Sequence, residues 1–392
     1  RHDYLKDGET ECEICWTLKQ MSGNILKGDF FTVTSKKEKT CLPLPGNCYL
    51  VTDTESTLRK RMKEDNYYIR SYSKNKPYSG YYVSTKLWVG DYVNGETFEE
   101  LGQRATGIER IAVMRADVDN LGQAFVRGFE NEKNGSKYVT LSRTATFSRK
   151  LSMFFKYHIN SLLKEGGYSI LEEEAQMEKE DDRRNALIVY SGGDDIFIVG
   201  AWDDIIGFAV DLHDNLMEYS QDTLKISAGI GIYPSKYPIS IMARETGRLE
   251  EAAKSVEGKN AVALFDEKYT FPWEEFIENV VEEKLYFIQK YFKVVDEKGK
   301  NFLYNLLELV RKRKEDKINI ARFAYLLGRM EPKVQRGEKK EEIEEKRDLH
   351  REFSRKMYEW IRVEKDAKEL EMAIYLYVYT KREKEEHDGV NE

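Results

Sequence analysis

The sequence predicts an α+β fold: a ferredoxin-like palm, preceded by a small β-rich, cysteine-containing linker domain and followed by an all-α bundle. Three observations carry this expectation. Apolar strand-like runs alternate with helical periods between residues 106 and 270; all four cysteines and several short alternating runs lie before residue 106; and from residue 271 the apolar spacing is helical almost to the end.

Residues 1–105 mix Gly, Pro and short alternating stretches such as Tyr49-Leu50-Val51, which read as a linker domain of short strands. From residue 108 the pattern changes. Residues 110–116 form a short apolar strand that stops at a polar, carboxylate-rich turn, and two helical stretches follow. The second, residues 141–163, places Phe147, Leu151, Phe154, Phe155, Ile159 and Leu162 on one face. Residues 166–185 are acidic and polar apart from Tyr168-Ser169-Ile170-Leu171, and read as a surface insertion.

Two apolar runs, 186–190 and 196–200, flank Ser191-Gly192-Gly193-Asp194-Asp195, the signature of a hairpin. Ile205, Phe208, Ala209, Leu212, Leu216 and Tyr219 then mark an amphipathic helix; residues 225–232 read as a strand, 239–255 as a helix and 261–265 as a last strand. The order β-α-α-β-β-α-β-α-β suits a split βαβ palm with helices on one face of a mostly antiparallel sheet. In residues 271–392 the stripes around 302–310, 323–327 and 353–361 are the core positions of a bundle, with a charged break near 331–346.

Composition narrows the class. The chain has 392 residues, 12% aromatic, enough for two or three cores. No run approaches the roughly 20 apolar residues that span a bilayer, and residues near Arg1 lack the order of a signal peptide, so the expected location is the cytoplasm and no membrane partner is expected. The start at Arg1 rather than methionine leads to the expectation of further residues upstream. A net charge of −7 argues against a surface coated nonspecifically with nucleic acid, and the 34% charged content, rich in Lys and Glu, is the kind found in proteins of hot organisms.

The chemistry lies in the carboxylates. Metal-assisted phosphoryl transfer needs carboxylates converging on one point, because Mg²⁺ and Mn²⁺ take oxygen ligands. Asp117 and Asp119 end the first palm strand, and Asp194 and Asp195 occupy the hairpin tip; a ferredoxin-like sheet sets those elements side by side. All four are candidate metal ligands, with Asp194, Asp195 and Asp117 the catalytic set. Ser191, Gly192 and Gly193 offer a turn that a triphosphate can approach without a Cβ in the way. Lys254 and Lys259, with Asn120, are candidate nucleotide contacts. The expected substrate is a nucleoside triphosphate: the 3′-hydroxyl of one nucleotide attacks the α-phosphate of the next, with no protein nucleophile. The bland alternative makes Gly-Gly-Asp-Asp a polar turn and 117–120 a helix cap.

These blocks resemble the large signature subunit of type III CRISPR effector complexes, most like subtype III-A. The match runs through Met114-Arg115-Ala116-Asp117-Val118-Asp119-Asn120-Leu121-Gly122, Leu141-Ser142-Arg143 with Phe154-Phe155, and Tyr190-Ser191-Gly192-Gly193-Asp194-Asp195. It continues through Ser227-Ala228-Gly229-Ile230, Lys236-Tyr237-Pro238-Ile239 and Ala253-Lys254 to Lys259-Asn260. The resemblance implies that residues 108–268 are the second palm and that the later helices are the carboxyl-terminal bundle. It further implies cyclic oligoadenylate synthesis from ATP when the complex engages target RNA. The implied partners are the small subunit, the subunit that binds the crRNA 5′ end, crRNA and target RNA. Asp194 and Asp195 become essential metal-site residues, with Asp117 beside them; Asp119 is either a ligand or the cap of the next helix.

Two departures stand against the family pattern. The family's HD nuclease and first palm would lie upstream of Arg1, and His2-Asp3, His213-Asp214 and His387-Asp388 have no surrounding ligand cluster, so no deoxyribonuclease activity is expected from this chain and only weak cyclase activity in isolation. The family often carries four linker cysteines; here Cys12 and Cys15 have knuckle spacing, but Cys41 and Cys48 are spaced more widely, leaving structural zinc and reduced thiols both open. Two other functions compete: a diguanylate-cyclase-like enzyme, separable by its GTP preference, and an architectural RNA-binding subunit with an inactive palm.

Overall fold

The computed structural model describes residues 12–64, 66–76, 85–130, 133, 135–177, 179, 183–295, 301–314, 316, 318–332 and 340–382. By contacts the chain divides into two compact units, residues 1–91 with 148–158, and residues 92–147 with 159–392. Residues 92–105, read from the sequence with the linker, group with the second unit.

The first unit holds helix α1 (Glu13–Lys27), strands β1 (Phe30–Thr34), β2 (Leu42–Leu44) and β3 (Cys48–Asp53), helix α2 (Glu55–Glu64), and strands β4 (Tyr68–Lys74) and β5 (Thr85–Leu87). Its sheet runs β2-β3-β1-β4-β5, antiparallel except for the parallel β4–β5 edge. Alternation along β1 buries Phe30, Thr32 and Thr34, and Met21, Val51 and Leu58 complete a small core. The buried Lys74 donates to the carbonyls of Ile25 and Leu26 at the end of α1 and pairs with Asp91 at 2.8 Å, placing a cation where the helix dipole is negative.

Beyond the first sheet come α3 (Phe98–Arg104), β6 (Ile111–Val118), α4 (Leu121–Arg127), α5 (Leu141–Met153), α6 (Ile159–Lys164) and α7 (Glu173–Met177); between α5 and α6 lies a π-helical turn, Phe154–His158, which with α5 from Ser148 onward groups with the first unit. That turn carries an extra residue, so the apolar phase slips and Leu163 is buried where straight helical spacing selects Leu162. Then come β7 (Ala186–Ser191), β8 (Asp195–Ala201), α8 (Trp202–Ser220), β9 (Ile226–Tyr233), α9 (Ile239–Lys254), β10 (Ala261–Leu264) and β11 (Thr270–Pro272).

The sheet order is β11-β10-β9-β6-β8-β7. Its inner four strands, taken in chain order β6, β7, β8, β9, stand 4-1-3-2, the ferredoxin-like arrangement, with every neighbouring pair antiparallel. β10 adds in parallel to β9. The odd-numbered face of β6 packs on α3 and α9: Leu101 and Met242 cluster with Ile111, Val113, Val199 and Tyr233. Ala112, Met114 and Ala116 on the other face are equally buried, and α8, which contacts β6, β8 and β9 and packs beside α6, covers them. The sheet therefore carries helices on both faces, a correction to the one-faced arrangement expected. Helix α9 lies on the sheet at Gly229, where a Cβ would run into the backbone of Thr246, Leu249 and Glu250.

The insertion expected on the surface is anchored. Ile170 and Leu171 are buried, Gln289 Nε2 donates to the Ile170 carbonyl at 2.9 Å, and Arg184 pairs with Asp211 at 2.6 Å. The bundle consists of a π-helical segment, Glu275–Leu285, then α10 (Tyr286–Val294), α11 (Asn301–Arg311), α12 (Ile318–Gly328), α13 (Lys340–Arg362) and α14 (Glu364–Lys381). Its core stacks Tyr291 on Phe353 at 3.8 Å and buries the Lys284–Glu369 pair, N–O 2.7 Å. No helix among the described residues is long and apolar enough to cross a membrane.

Candidate active site

The antiparallel register of β6 and β8 sets Asp117 directly opposite Asp195. Facing residues of an antiparallel pair have their Cβ atoms on the same side, about 5 Å apart, so the two carboxylates share the α9 face of the sheet. The hairpin adds a third: Val118 N–H donates to the Asp194 carbonyl (3.1 Å), and Gly192 N–H donates to the Asp195 carbonyl (2.8 Å), which closes the turn around Asp194. A Cβ at Gly192 would push the Tyr190 hydroxyl and Asp195 Oδ1 from their places.

The cluster is electrostatically loaded. Burial first, then the charges of Asp117 and Asp195, push the Asp194 carboxyl above its ordinary pKa, while Lys254 works in the other direction. The Asp195 charge likewise raises the Tyr190 phenol, which hydrogen-bonds to it. Lys254 Nζ meets Asp117 Oδ2 at 2.6 Å and Glu250 Oε1 at 2.7 Å, and Glu250 Oε2 meets Arg115 Nε at 3.0 Å. Although burial disfavours its charge, the hydrogen bonds to Asp117 and Glu250 hold the Lys254 ammonium above the ordinary lysine pKa.

Asp119 does not cap α4, and one of its carboxylate oxygens is taken up within the fold. Its Oδ2 accepts from Ser227 Oγ (2.8 Å) and Asn260 N–H (3.0 Å), and its own N–H donates to the Lys225 carbonyl (2.8 Å), so it ties β6, β9 and the loop before β10 together. The cap position of α4 is Asn120, in the left-handed region at φ 54°, with no side-chain cap bond. Only Asp119 Oδ1, buried and without a partner, is left to any further ligand. Asn120 Oδ1 instead accepts from Lys259 Nζ at 2.9 Å. Ser191 ends β7 beside the turn.

Among the described residues no three His, Cys, Asp or Glu side chains form a preformed metal cage. For Mg²⁺ or Mn²⁺ this fits the donor set: such ions use one or two carboxylates and complete their shell with phosphate oxygens and water, and Asp117, Asp194 and Asp195 supply hard, mutually repelling oxygens. For zinc it does not fit, because a structural site needs four protein ligands. Cys12 Sγ caps α1 by accepting from Cys15 N–H, bonds that lower its pKa, while the Cys41 and Cys48 thiols donate to the carbonyls of Glu38 and Gly46. The four-cysteine zinc site is therefore not assembled. His213 bonds Asp214 at 2.7 Å and stacks on Trp273, and among the described residues no cluster of metal-ligating side chains surrounds it; His2-Asp3 and His387-Asp388 lie outside the described residues.

Sequence reasoning missed Arg115, Tyr190 and Glu250 as members of this site. Glu250 carried a usable signal, its i,i+4 spacing to Lys254 on a helix; Arg115 and Tyr190 carried none beyond adjacency to the aspartates.

Comparison with known proteins finds matches for the palm and for the bundle. Residues 110–263 match the family model described as Cas10/Cmr2, second palm domain, and residues 289–383 match that of the CRISPR RNA silencing complex Cmr2 subunit, second helical domain. A relative from Mycobacterium tuberculosis (strain ATCC 25618 / H37Rv), named CRISPR system single-strand-specific deoxyribonuclease Cas10/Csm1 (subtype III-A), is 42% identical over 97% of this chain and 45% of its own. The chain spans about half the length of the curated relatives it matches. A Csm1–Csm4 subcomplex from the type III-A CRISPR-Csm interference complex superposes with TM-score 0.63 at 25% identity, covering 96% of this chain and 51% of that one. A Csm1–Csm4 cassette in complex with cA4 shares the fold, with TM-score 0.63 at 22% identity over 96% of this chain and 50% of that one.

Proposed function

This chain belongs to the Cas10/Csm1 family of type III-A CRISPR effector subunits, and from that premise we propose that its palm is a metal-dependent nucleotidyltransferase making cyclic oligoadenylates from ATP when the complex engages target RNA. The observation that carries the reading is Asp117 facing Asp195 across β6 and β8, with Asp194 raised in pKa beside them. Three mutually repelling carboxylates at one sheet end cost stability, and cations relieve that cost.

Divalent ions bound by Asp117, Asp194 and Asp195 would supply Lewis-acid charge stabilisation. The remaining contributions are the chain's own. The 3′-hydroxyl of one ATP attacks the α-phosphate of the next; the α–β phosphoanhydride breaks and pyrophosphate leaves. Lys254 and Lys259 neutralise phosphate charge, and the Gly192-Gly193 turn, with Ser191 at its edge, admits the triphosphate. The aspartates hold no covalent intermediate, so the protein's part is positioning and electrostatics.

The proposed partners are the subunits of a type III-A complex, including the small subunit and the one holding the crRNA 5′ end, together with crRNA and target RNA; the Csm1–Csm4 neighbour supports the assembly. The deoxyribonuclease activity in the relative's name belongs to that whole protein, and the carboxylate site described here is assigned nucleotidyl transfer. The test is ATP turnover in the whole effector complex with target RNA. Cyclic oligoadenylate that disappears in Asp194→Ala/Asp195→Ala supports the reading; turnover that persists, or that prefers GTP, refutes it, and ATP binding without product points to an architectural palm.

A further inference from the structure

Lys254 is held from two sides, and the two partners differ. Asp117, 27% exposed at its side chain, belongs to the carboxylate cluster that faces solvent and ligand. Glu250 is 10% exposed and is itself fixed. Its Oε2 pairs with Arg115, and its backbone nitrogen sits against Gly229, where no side chain intervenes. Arg115 is anchored in turn, with Nη1 donating to the Ala243 carbonyl at 3.4 Å and lying over Gly247. The result is a chain of alternating charge, Arg115–Glu250–Lys254–Asp117, that leaves β6, crosses α9 and returns to the same face of β6 two residues on.

This arrangement matters when a cation takes Asp117. The ammonium then loses one acceptor, and an unheld lysine would swing to water with its four-carbon stem disordered. Held by Glu250, it stays at the cluster with free N–H donors. We propose that Glu250 is a positioning residue for nucleotide binding, keeping the Lys254 ammonium where the triphosphate arrives once Asp117 is engaged elsewhere. The inference rests on the nucleotidyl-transfer reading above and adds to it the residue that orients the phosphate contact.

Equilibrium ATP binding to the whole protein that carries this chain, in Mg²⁺ and in EDTA, tests it with Lys254→Met, Glu250→Asp and the double variant. Glu250→Asp keeps the charge but withdraws the carboxylate by one methylene, so that it no longer spans Lys254 and Arg115 together. Lys254→Met is expected to weaken ATP binding about 10-fold and Glu250→Asp about 3- to 10-fold, the latter chiefly as a rise in KM. In the Lys254→Met background, Glu250→Asp adds less than about twofold, because its effect runs through the missing lysine. Unchanged ATP binding in Glu250→Asp, or an equal loss with and without Lys254, overturns the proposal. If Glu250→Asp does not fold, Glu250→Gln, of the same length, enters the same cycle and the same two outcomes decide. Absence of ATP binding in the unmutated protein is a separate failure, and it overturns both this inference and the reading beneath it.

Discussion

Asp117 and Asp195, 78 positions apart in sequence, stand opposite each other on neighbouring strands, and that single register makes two strand ends into a site. A one-residue slip of β8 would turn Asp195 to the α8 face and dissolve the cluster.

Removing one of the crowded carboxylates separates function from stability. Asp194→Asn is expected to cut ATP turnover by about 100-fold or more while leaving the melting temperature unchanged or raising it by about 2 °C. The sign follows from linkage. A carboxyl whose pKa is raised in the folded chain binds more protons folded than unfolded, so the wild type loses stability as pH rises from the ordinary aspartate value, about 3.9, through the raised one. The advantage of Asp194→Asn should thus be present at pH 7 and absent below about pH 4. Thermal melts of both proteins across that range check it.

Asp117 and Asp119 should respond oppositely. Asp117→Asn breaks a half-exposed pair with Lys254 and is expected to cost under about 1 kcal/mol while abolishing turnover. Asp119→Ala strands Ser227 and the Asn260 N–H and is expected to cost about 3 kcal/mol. Urea unfolding alongside ATP turnover distinguishes them; equal stability losses would contradict the assignment of Asp119 to the scaffold.

Gly229→Ala places a methyl against the backbone of Glu250 and Thr246. The helix must lift, at a cost of about 3 kcal/mol, and Glu250 and Lys254 move with it, so ATP affinity falls together with stability. A variant as stable as wild type would show that α9 does not seat on this glycine.

The buried charges under the insertion form a second sensitive point. Lys179 pairs with Asp203 at 2.9 Å and Asp204 at 2.8 Å; burial works against its ammonium, but the two aspartates keep its pKa above the ordinary value. Lys179→Met removes the ammonium that Asp203 and Asp204 share, Asp204 keeping Asn185 and Arg184, and is expected to cost about 3–5 kcal/mol at pH 7. Burial already holds the Asp203 carboxyl above its ordinary pKa, so without the ammonium it takes up a proton on folding and the deficit should shrink as pH falls toward 5. Denaturant melts at the two pH values measure the difference.

The residues themselves determined the hairpin, since Gly-Gly between apolar runs permits little else, and the strand and helix order of the palm, since periods of 2 and 3.6 are local properties. They also determined that Asp117, Asp194 and Asp195 lie at element ends. Tertiary structure decided the rest. The π-helical turn at Phe154–His158 shifted a helical face; α9 reached the second face of the sheet because Gly229 let its backbone approach; Asp119 became a tie to Ser227 and Asn260 rather than a cap; and Glu250 and Arg115 entered the site. The reason is common to all of these. Local pattern fixes which conformation a segment adopts, whereas side-chain partnership depends on register and packing between segments tens of residues apart, and no window of sequence contains both partners.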